Sequence, residues 1–490
     1  MSSRTPRVAI IGAGFSGLCL AIRLRETGAG EPTILEKAER LGGTWRENSY
    51  PGAACDLMSF AYCYSFEQKT DWSRKWSPQA EILDYMDHCA EKYGILPHVR
   101  FGTEVLGARF DPERGVWQLR TRCDGGEETL EAEVLVSGVG QLHRPVPPGF
   151  PGLESFAGVQ FHSASWRHDV PLAGKRVGVV GTGASAIQLV PEIARESGRL
   201  EVFQRTPSWI IARGDRDYSE AEKRRFTRHA WLAKIYRWFI WARQELLFFP
   251  VMLGNRGLSK RLEQMARENM EAHIADPELR ATLTPDYPIG GKRVLIHDDY
   301  YPALARENVE LVASPIVRAD VAGLVTEDGR HHELDVIVLA TGFDTTRFLA
   351  PMRIEGREGR ILPEEWKDGA EAYLGLAVAG FPNFFMMYGP NTNLGHNSII
   401  FMIECQADYI VQCVRRIGRR GLRYLDLDPE VQEAFNRKLQ RDLARTAWAR
   451  TPKSWYKDAS GKITNNWPGT TIAYWWRTRR PRFGDYREVR

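Results

Sequence analysis

The stretch Val8-Ala9-Ile10-Ile11-Gly12-Ala13-Gly14-Phe15-Ser16-Gly17 decides the reading of this 490-residue chain. Four apolar residues read as a strand. The glycine run turns it into a helix that extends through Arg25, and a second strand follows at Thr33–Glu36. In such a unit Gly12 permits the tight turn, Gly14 lets a phosphate approach the backbone, and Gly17 lets helix and strand pack closely. The helix N-terminus then offers free N–H groups and the positive end of its dipole to a pyrophosphate. Glycines mark tight turns anywhere, so one such run is weak evidence. Here the unit is repeated. Arg176–Val180 leads into Gly181-Thr182-Gly183-Ala184-Ser185-Ala186, a helix to about Ala194 and a strand at Leu200–Gln204, with Gly12 and Gly181 standing 169 residues apart.

The two copies differ where it matters. Glu36 stands 24 residues beyond Gly12, where a carboxylate accepts hydrogen bonds from ribose hydroxyls and repels a 2′-phosphate. The same step from Gly181 lands on Arg205, whose guanidinium would pair with a 2′-phosphate in a charge-assisted contact. The first unit is therefore expected to hold FAD through Gly12, Gly14, Gly17 and Glu36. The second is expected to hold NADPH through Gly181, Gly183, Ser185, Gln188 and Arg205. Flavin and nicotinamide in one chain mean hydride transfer followed by some use of the reduced flavin. Flavin–disulfide reductases would need a close cysteine pair, and none of the seven cysteines stands in such a spacing, so oxygen is the expected acceptor.

The remaining sequence sets the frame. Strand and helix signals alternate, giving an α/β fold: two dinucleotide-binding (Rossmann-like) domains with a helical insertion. The expected division is 1–145 for the first part of the FAD-binding domain and 146–212 for the first part of the NADP-binding domain. The helical insertion takes 213–289, the NADP-binding domain resumes over 290–340, and 341–490 returns to the FAD-binding domain with a C-terminal segment. Strand signals resume at Arg293–Ile296 and Asp335–Leu339, and Pro145 to Pro151 reads as a linker. A net charge of +4 gives no footprint for nucleic acid. The cysteine usage fits a reducing, cytoplasmic setting, and no metal site is expected. Ile235 to Gly254 is rich in apolar residues but broken by Arg237, Arg243 and Glu245, so it reads as a buried or lid helix, with a membrane-surface helix as the alternative.

With these motifs in place the chain resembles the class B flavoprotein monooxygenases, the family of Baeyer–Villiger and flavin-containing monooxygenases, over roughly Val8 to Trp455. The most specific element is Phe156-Ala157-Gly158-Val159-Gln160-Phe161-His162-Ser163-Ala164-Ser165-Trp166, which fits FxGxxxHxxxW and carries the Trp of the Baeyer–Villiger branch. Arg167 departs from the Pro or Asp of that pattern. His162 reads as a structural histidine beside the linker. A second family pattern is Gly42-Gly43-Thr44-Trp45 followed by Tyr50-Pro51-Gly52 and Asp56. By similarity Thr44, Trp45, Asp56 and Tyr62 belong to the flavin pocket. Gly290-Gly291-Lys292-Arg293 would be a solvated strand edge without context. The resemblance instead places Lys292 on the NADP 2′-phosphate and Arg293 beside the flavin, oriented by Asp56. Gln204-Arg205-Thr206-Pro207 matches the NADP-selecting segment. Trp455 is either a cofactor-touching loop residue or core.

The resemblance implies that ketones become esters or lactones through a C4a-peroxyflavin, with Arg293 and Asp56 as the catalytic pair. The small-molecule ketone and molecular oxygen would be the partners, with the oligomeric state open. The alternatives are a monooxygenase acting on sulfur or nitrogen and, from another class, a non-catalytic NADP-binding redox sensor.

Overall fold

The computed structural model describes residues 4–451, 454–458 and 460–490; Met1–Ser3 of the polar N-terminal stretch lie outside it. Two five-stranded parallel sheets carry the chain. In the first, Arg7–Ile11 lies between Val134–Ser137 and Glu31–Leu35, with Phe384–Met386 and Val99–Arg100 at the edges. In the second, Arg176–Val180 lies between Arg199–Phe203 and Val336–Leu339, with Val309–Val312 and Val159–His162 at the edges. Parallel strands buried on both faces need uninterrupted apolar side chains. Val134–Ser137 and Val336–Leu339 are buried at every position.

The α/β reading with two such units holds, with small shifts at the boundaries. The second strand starts at Glu31, ahead of Pro32, and stops at Leu35, so Glu36 is the first residue past it. Only Leu295–Ile296 of the 293–296 stretch pairs, with Ile210–Ile211, and Arg293 stands outside the strand. The helical segments between the halves of the second sheet include Glu220–Arg228, Ala230–Arg243, Arg256–Glu271 and Pro277–Leu283. The linkers between the sheets run side by side. Val146 N–H donates to the Gly342 carbonyl, Asp344 N–H to that of Arg144, and the Thr341 hydroxyl to that of Val146.

The Ile235–Gly254 segment corrects only the buried half of its buried-or-lid expectation. The segment has two faces. Ile240, Gln244, Glu245, Val251 and Met252 are buried, while Ile235, Trp238, Phe239, Leu246, Leu247 and Leu253 are exposed. The chain passes from α-helix through a π-helical turn at Gln244–Phe248 into Phe249–Met252. Among the described residues, no helix is long and apolar enough to cross a membrane.

An antiparallel meander, Glu104–Asp111, Val116–Cys123 and Gly126–Ala132, packs on the first sheet through Trp117. Its indole is fully buried, lies 5.8 Å from Phe384, and donates to the Pro382 carbonyl at 2.9 Å. Trp117→Ala should cost about 3–5 kcal/mol of unfolding free energy from the cavity and the orphaned carbonyl, read in chemical denaturation. A loss under about 1 kcal/mol would mean the meander does not brace the sheet.

Candidate active site

The site grows from the two glycine turns. Gly12 has φ +98°, and a Cβ on Gly17 would lie 2.0 Å from the Gly12 carbonyl oxygen, so a side chain at residue 17 would displace the turn. Gly14 starts the first helix without a side-chain cap, which leaves its leading N–H groups free for an anion. A Cβ on Gly14 would meet only the Gly43 Cα at 3.8 Å. The Gly42-Gly43 turn thus sits on the first glycine turn and brings Thr44 and Trp45 with it. The Trp45 indole donates to the Tyr62 hydroxyl at 3.0 Å, and Phe15 meets the Tyr62 ring edge-on at 5.5 Å. Thr44, Trp45 and Tyr62 therefore gather at the mouth of the turn. Glu36 is buried there. Its carboxylate accepts from Ala13 N–H at 2.8 Å and Ala38 N–H at 3.0 Å, and pairs with Arg46 at 3.1 Å. It holds the turn together and keeps one lone pair, on Oε2, in reserve.

The second turn repeats the geometry, with Gly181 at φ +119° and Gly183 at an uncapped helix start. A Cβ on Gly183 would project into open space. Ser185 lies half-buried in the first turn of this helix. The 205–208 segment crosses over the turn, with the Thr182 hydroxyl donating to the Thr206 carbonyl at 2.9 Å and the Ser208 hydroxyl to the Thr182 carbonyl at 3.1 Å. This holds Thr206 and the exposed Arg205 beside Gly183. Lys292 comes to the same place from 87 residues further on, its ammonium 4.4 Å from the Tyr287 ring centre. Burial, and then the Arg205 charge, hold the Lys292 ammonium below its ordinary value. Two cations at close quarters beside an open helix N-terminus would suit a dianion.

Gln188 has protein partners across the boundary between the two units. Its amide accepts from the Tyr50 hydroxyl at 2.9 Å and donates to the Ala54 carbonyl at 3.0 Å. Gly52 packs so close that a Cβ would lie 2.5 Å from the Gln188 carbonyl oxygen. Gln188 joins the Tyr50–Ala54 loop to the second nucleotide unit.

Arg293 and Asp56 meet across the same boundary. Arg293 donates from Nε at 2.8 Å and from Nη2 at 2.6 Å to the two carboxylate oxygens, a bidentate clamp. The Asp56 charge holds the guanidinium above its ordinary value, against the opposing effect of burial. The Arg293 side chain is deep-set yet keeps 34% of its surface open, as expected of a group that lines a recess. Two tyrosines that the sequence did not single out lie close enough to feel its charge. Burial pushes the Tyr456 hydroxyl up to about 12 and pushes that of Tyr388 up as well, while Arg293 opposes both. Tyr388 has φ +58° and donates to the Asn393 side chain at 2.7 Å. The signal for each was its neighbour: Tyr388 precedes Gly389-Pro390-Asn391, and Tyr456 follows Trp455. Trp455 is half-buried, its ring 4.4 Å from that of Tyr456, and its carbonyl accepts from the Thr345 hydroxyl at 2.8 Å.

The fingerprint segment lies outside this constellation. His162 Nδ1 accepts from Ala164 N–H at 3.1 Å, and burial holds the ring's pKa below its ordinary value. Trp166 packs edge-on against Phe161 at 5.0 Å. The departure at Arg167 is a surface pair with Asp169, with Nε donating at 2.7 Å.

The chain is similar to known proteins over nearly its whole length. A family model described as flavin-binding monooxygenase-like matches residues 5–234. A Baeyer–Villiger monooxygenase of Streptomyces coelicolor is 44% identical over 486 residues, covering 99% of this chain and 93% of its own. One of Pseudomonas aeruginosa is 42% identical over 485 residues, covering 98% and 90%. Among solved structures, an oxidised steroid monooxygenase bound to NADP superposes with a TM-score of 0.88 at 32% identity, covering 99% of this chain and 100% of that one. Closed cyclohexanone monooxygenase gives 0.85 at 29% identity, covering 97% of each. With near-complete coverage at this level of identity, and a clamped arginine between two dinucleotide turns, the chain belongs to the Baeyer–Villiger branch of the flavin-binding monooxygenases.

Proposed function

We propose that this protein is a FAD-dependent, NADPH-consuming monooxygenase of the Baeyer–Villiger type that converts a ketone, dioxygen, NADPH and a proton into an ester or lactone, NADP+ and water. The observation that carries the reading is the Arg293–Asp56 clamp at the junction of the two units. In this reading residues 1–145 with 341–490 hold FAD, 146–212 with 290–340 hold NADPH, and 213–289 are inserted. The seven cysteines are all free, six of them buried, which fits a cytoplasmic protein.

FAD, when bound, supplies the redox chemistry with NADPH and dioxygen. The residues of the chain supply position and charge. Gly12, Gly14 and Gly17 with the first helix N-terminus would hold the FAD pyrophosphate, and Glu36 would turn its one spare lone pair to the ribose. Trp45 and Tyr62 wall the flavin ring, with Thr44 beside them. Gly181, Gly183 and Ser185 hold the NADPH pyrophosphate. Arg205, Thr206 and Lys292 take the 2′-phosphate, and Trp455 closes over the nucleotide. Arg293 cannot lose its proton. It stabilises the negative oxygen that develops as the ketone carbonyl becomes tetrahedral, and Asp56 fixes the guanidinium in orientation.

NADPH should be preferred over NADH by an order of magnitude or more, since each charge-assisted contact contributes roughly 1.5–3 kcal/mol. Arg205→Ala should raise KM for NADPH and leave that for NADH nearly unchanged. An equal loss for both would assign Arg205 a structural role only.

The lowered Lys292 pKa has a sign that a binding titration reads. A bound phosphate raises that pKa, so affinity is full below the pKa of the free protein and declines as pH climbs through it towards that of the complex. Calorimetry with adenosine 2′,5′-bisphosphate should show weakening in the alkaline range in wild type and a flatter profile in Lys292→Arg. Identical profiles would remove Lys292 from the phosphate site.

Arg293→Ala should still oxidise NADPH, with ester formation down by about 10²–10³ and hydrogen peroxide in its place. Stopped-flow reduction together with product and peroxide yields on cyclic and linear ketones measures this. Ester formation at wild-type coupling would take Arg293 out of the reaction.

A further inference from the structure

The inserted helices present an apolar face to solvent. On Ala230–Arg243, Trp231, Ile235, Trp238 and Phe239 are exposed, Trp238 to 60%. Their spacing of four, three and one residues draws a single stripe along the helix. Leu246, at 71%, and Leu247 extend it through the π-helical turn, over roughly 24 Å at 1.5 Å per residue. The opposite face is firmly seated. Ala233 and Ile240 are fully buried, and Arg237 donates to the Cys63 carbonyl at 2.7 Å. The stripe is thus the outward side of an anchored helix.

A second helix, Thr471–Thr478, adds Ile472, Trp475 and Trp476, the last exposed to 61%. The two helices are joined where the Trp241 indole donates to the Thr471 hydroxyl at 2.9 Å and that hydroxyl donates to Glu245 at 2.6 Å. Cations border both stripes. Lys234 is exposed beside the first, and Arg477 and Arg480 beside the second, while the Arg479 guanidinium lies 3.5 Å from the Trp476 ring centre. Residues 230–257 contain one carboxylate, Glu245, which is buried, and residues 460–484 contain none.

We propose that this face docks the enzyme on an anionic lipid surface, the aromatic and aliphatic stripes entering the headgroup boundary and the flanking Lys and Arg meeting the headgroup charge. Tryptophan and phenylalanine with basic neighbours are the composition of interfacial helices. Pairing with a second copy of the same face would set cations against cations with no exposed acid from either segment to answer them, which disfavours a symmetric self-interface. The segments already lie in the described fold, so docking needs no refolding.

The test uses the full-length, FAD-loaded protein in co-sedimentation with phosphatidylglycerol–phosphatidylcholine vesicles and with phosphatidylcholine vesicles alone. Wild type should pellet with the anionic vesicles, less with the neutral ones, and less at high salt, where screening shortens the reach of the cations. Trp238→Ser/Trp476→Ser should lower partitioning by roughly tenfold or more. Arg479→Ser/Arg480→Ser should remove the preference for phosphatidylglycerol. Val321→Ser, an exposed apolar residue on a distant turn, should change nothing. Brominated phosphatidylglycerol should quench part of the wild-type tryptophan fluorescence, a readout that needs no variant. Failure to bind anionic vesicles, absence of quenching, or a tryptophan variant that binds as wild type would each overturn the proposal. So would a vesicle-free dimer that Trp238→Ser/Trp476→Ser converts to monomer, since the face would then belong to a second copy.

Discussion

The carboxylate of Asp56 and the guanidinium of Arg293 are 237 residues apart in the chain and meet through two hydrogen bonds. Each comes from a segment whose position is fixed by a different glycine-bearing unit. The pair therefore forms only if both parallel sheets, the Tyr50–Asp56 loop and the start of the Leu295–Ile296 strand are all in register. Breaking one partner would leave the other charge, part-open to solvent, without its counter-ion and without the contact that orients it. The clamp thus reports on the assembly of the whole junction. Gln188 works beside it: its amide ties Tyr50 and Ala54 to the second unit, so the loop that carries Asp56 is held at two points.

The electrostatics of the second site work the other way. At the clamp a cation is matched in advance. At Arg205 and Lys292 two cations are left facing each other, with Lys292 already below its ordinary value. A site that is electrostatically unsatisfied until an anion arrives gains more from a phosphate than from a hydroxyl. In the proposed reading that would be the basis of choosing between two nicotinamide nucleotides that differ by one phosphate.

Much of this was legible in the sequence because its rules are local. Strand, glycine turn and the start of the helix occupy the ten residues Val8–Gly17, and the Glu36 and Arg205 positions follow by a fixed count. The Arg293–Asp56 pair was expected only through the family resemblance, and the geometry then supplied its bidentate form. Tyr388 and Tyr456 were missed because their relation to Arg293 is purely tertiary, made by chain returning nearly a hundred or more residues later. The contact of the Gln188 amide with the Tyr50–Ala54 loop was not legible, because a polar residue on a nucleotide-binding helix looks the same in sequence whether or not it also meets a neighbouring loop. The Ile235–Gly254 segment was ambiguous for a plainer reason. Apolar residues lie on every side of it, so periodicity could not say which side faces out.

The linkers between the two sheets carry a mechanical consequence. Residues 144–146 and 341–344 cross side by side, joined by hydrogen bonds from Val146, Asp344 and Thr341. A single strand between two bodies leaves them free to swivel about it, but two strands stapled together do not. Swivelling would shear the staples, whereas bending across the strap keeps them. Any relative movement of the two sheets would therefore meet less resistance in bending than in swivelling. In the proposed reading, a nicotinamide held on one leaf would then return to a flavin on the other along a narrowed path, with less search over orientations.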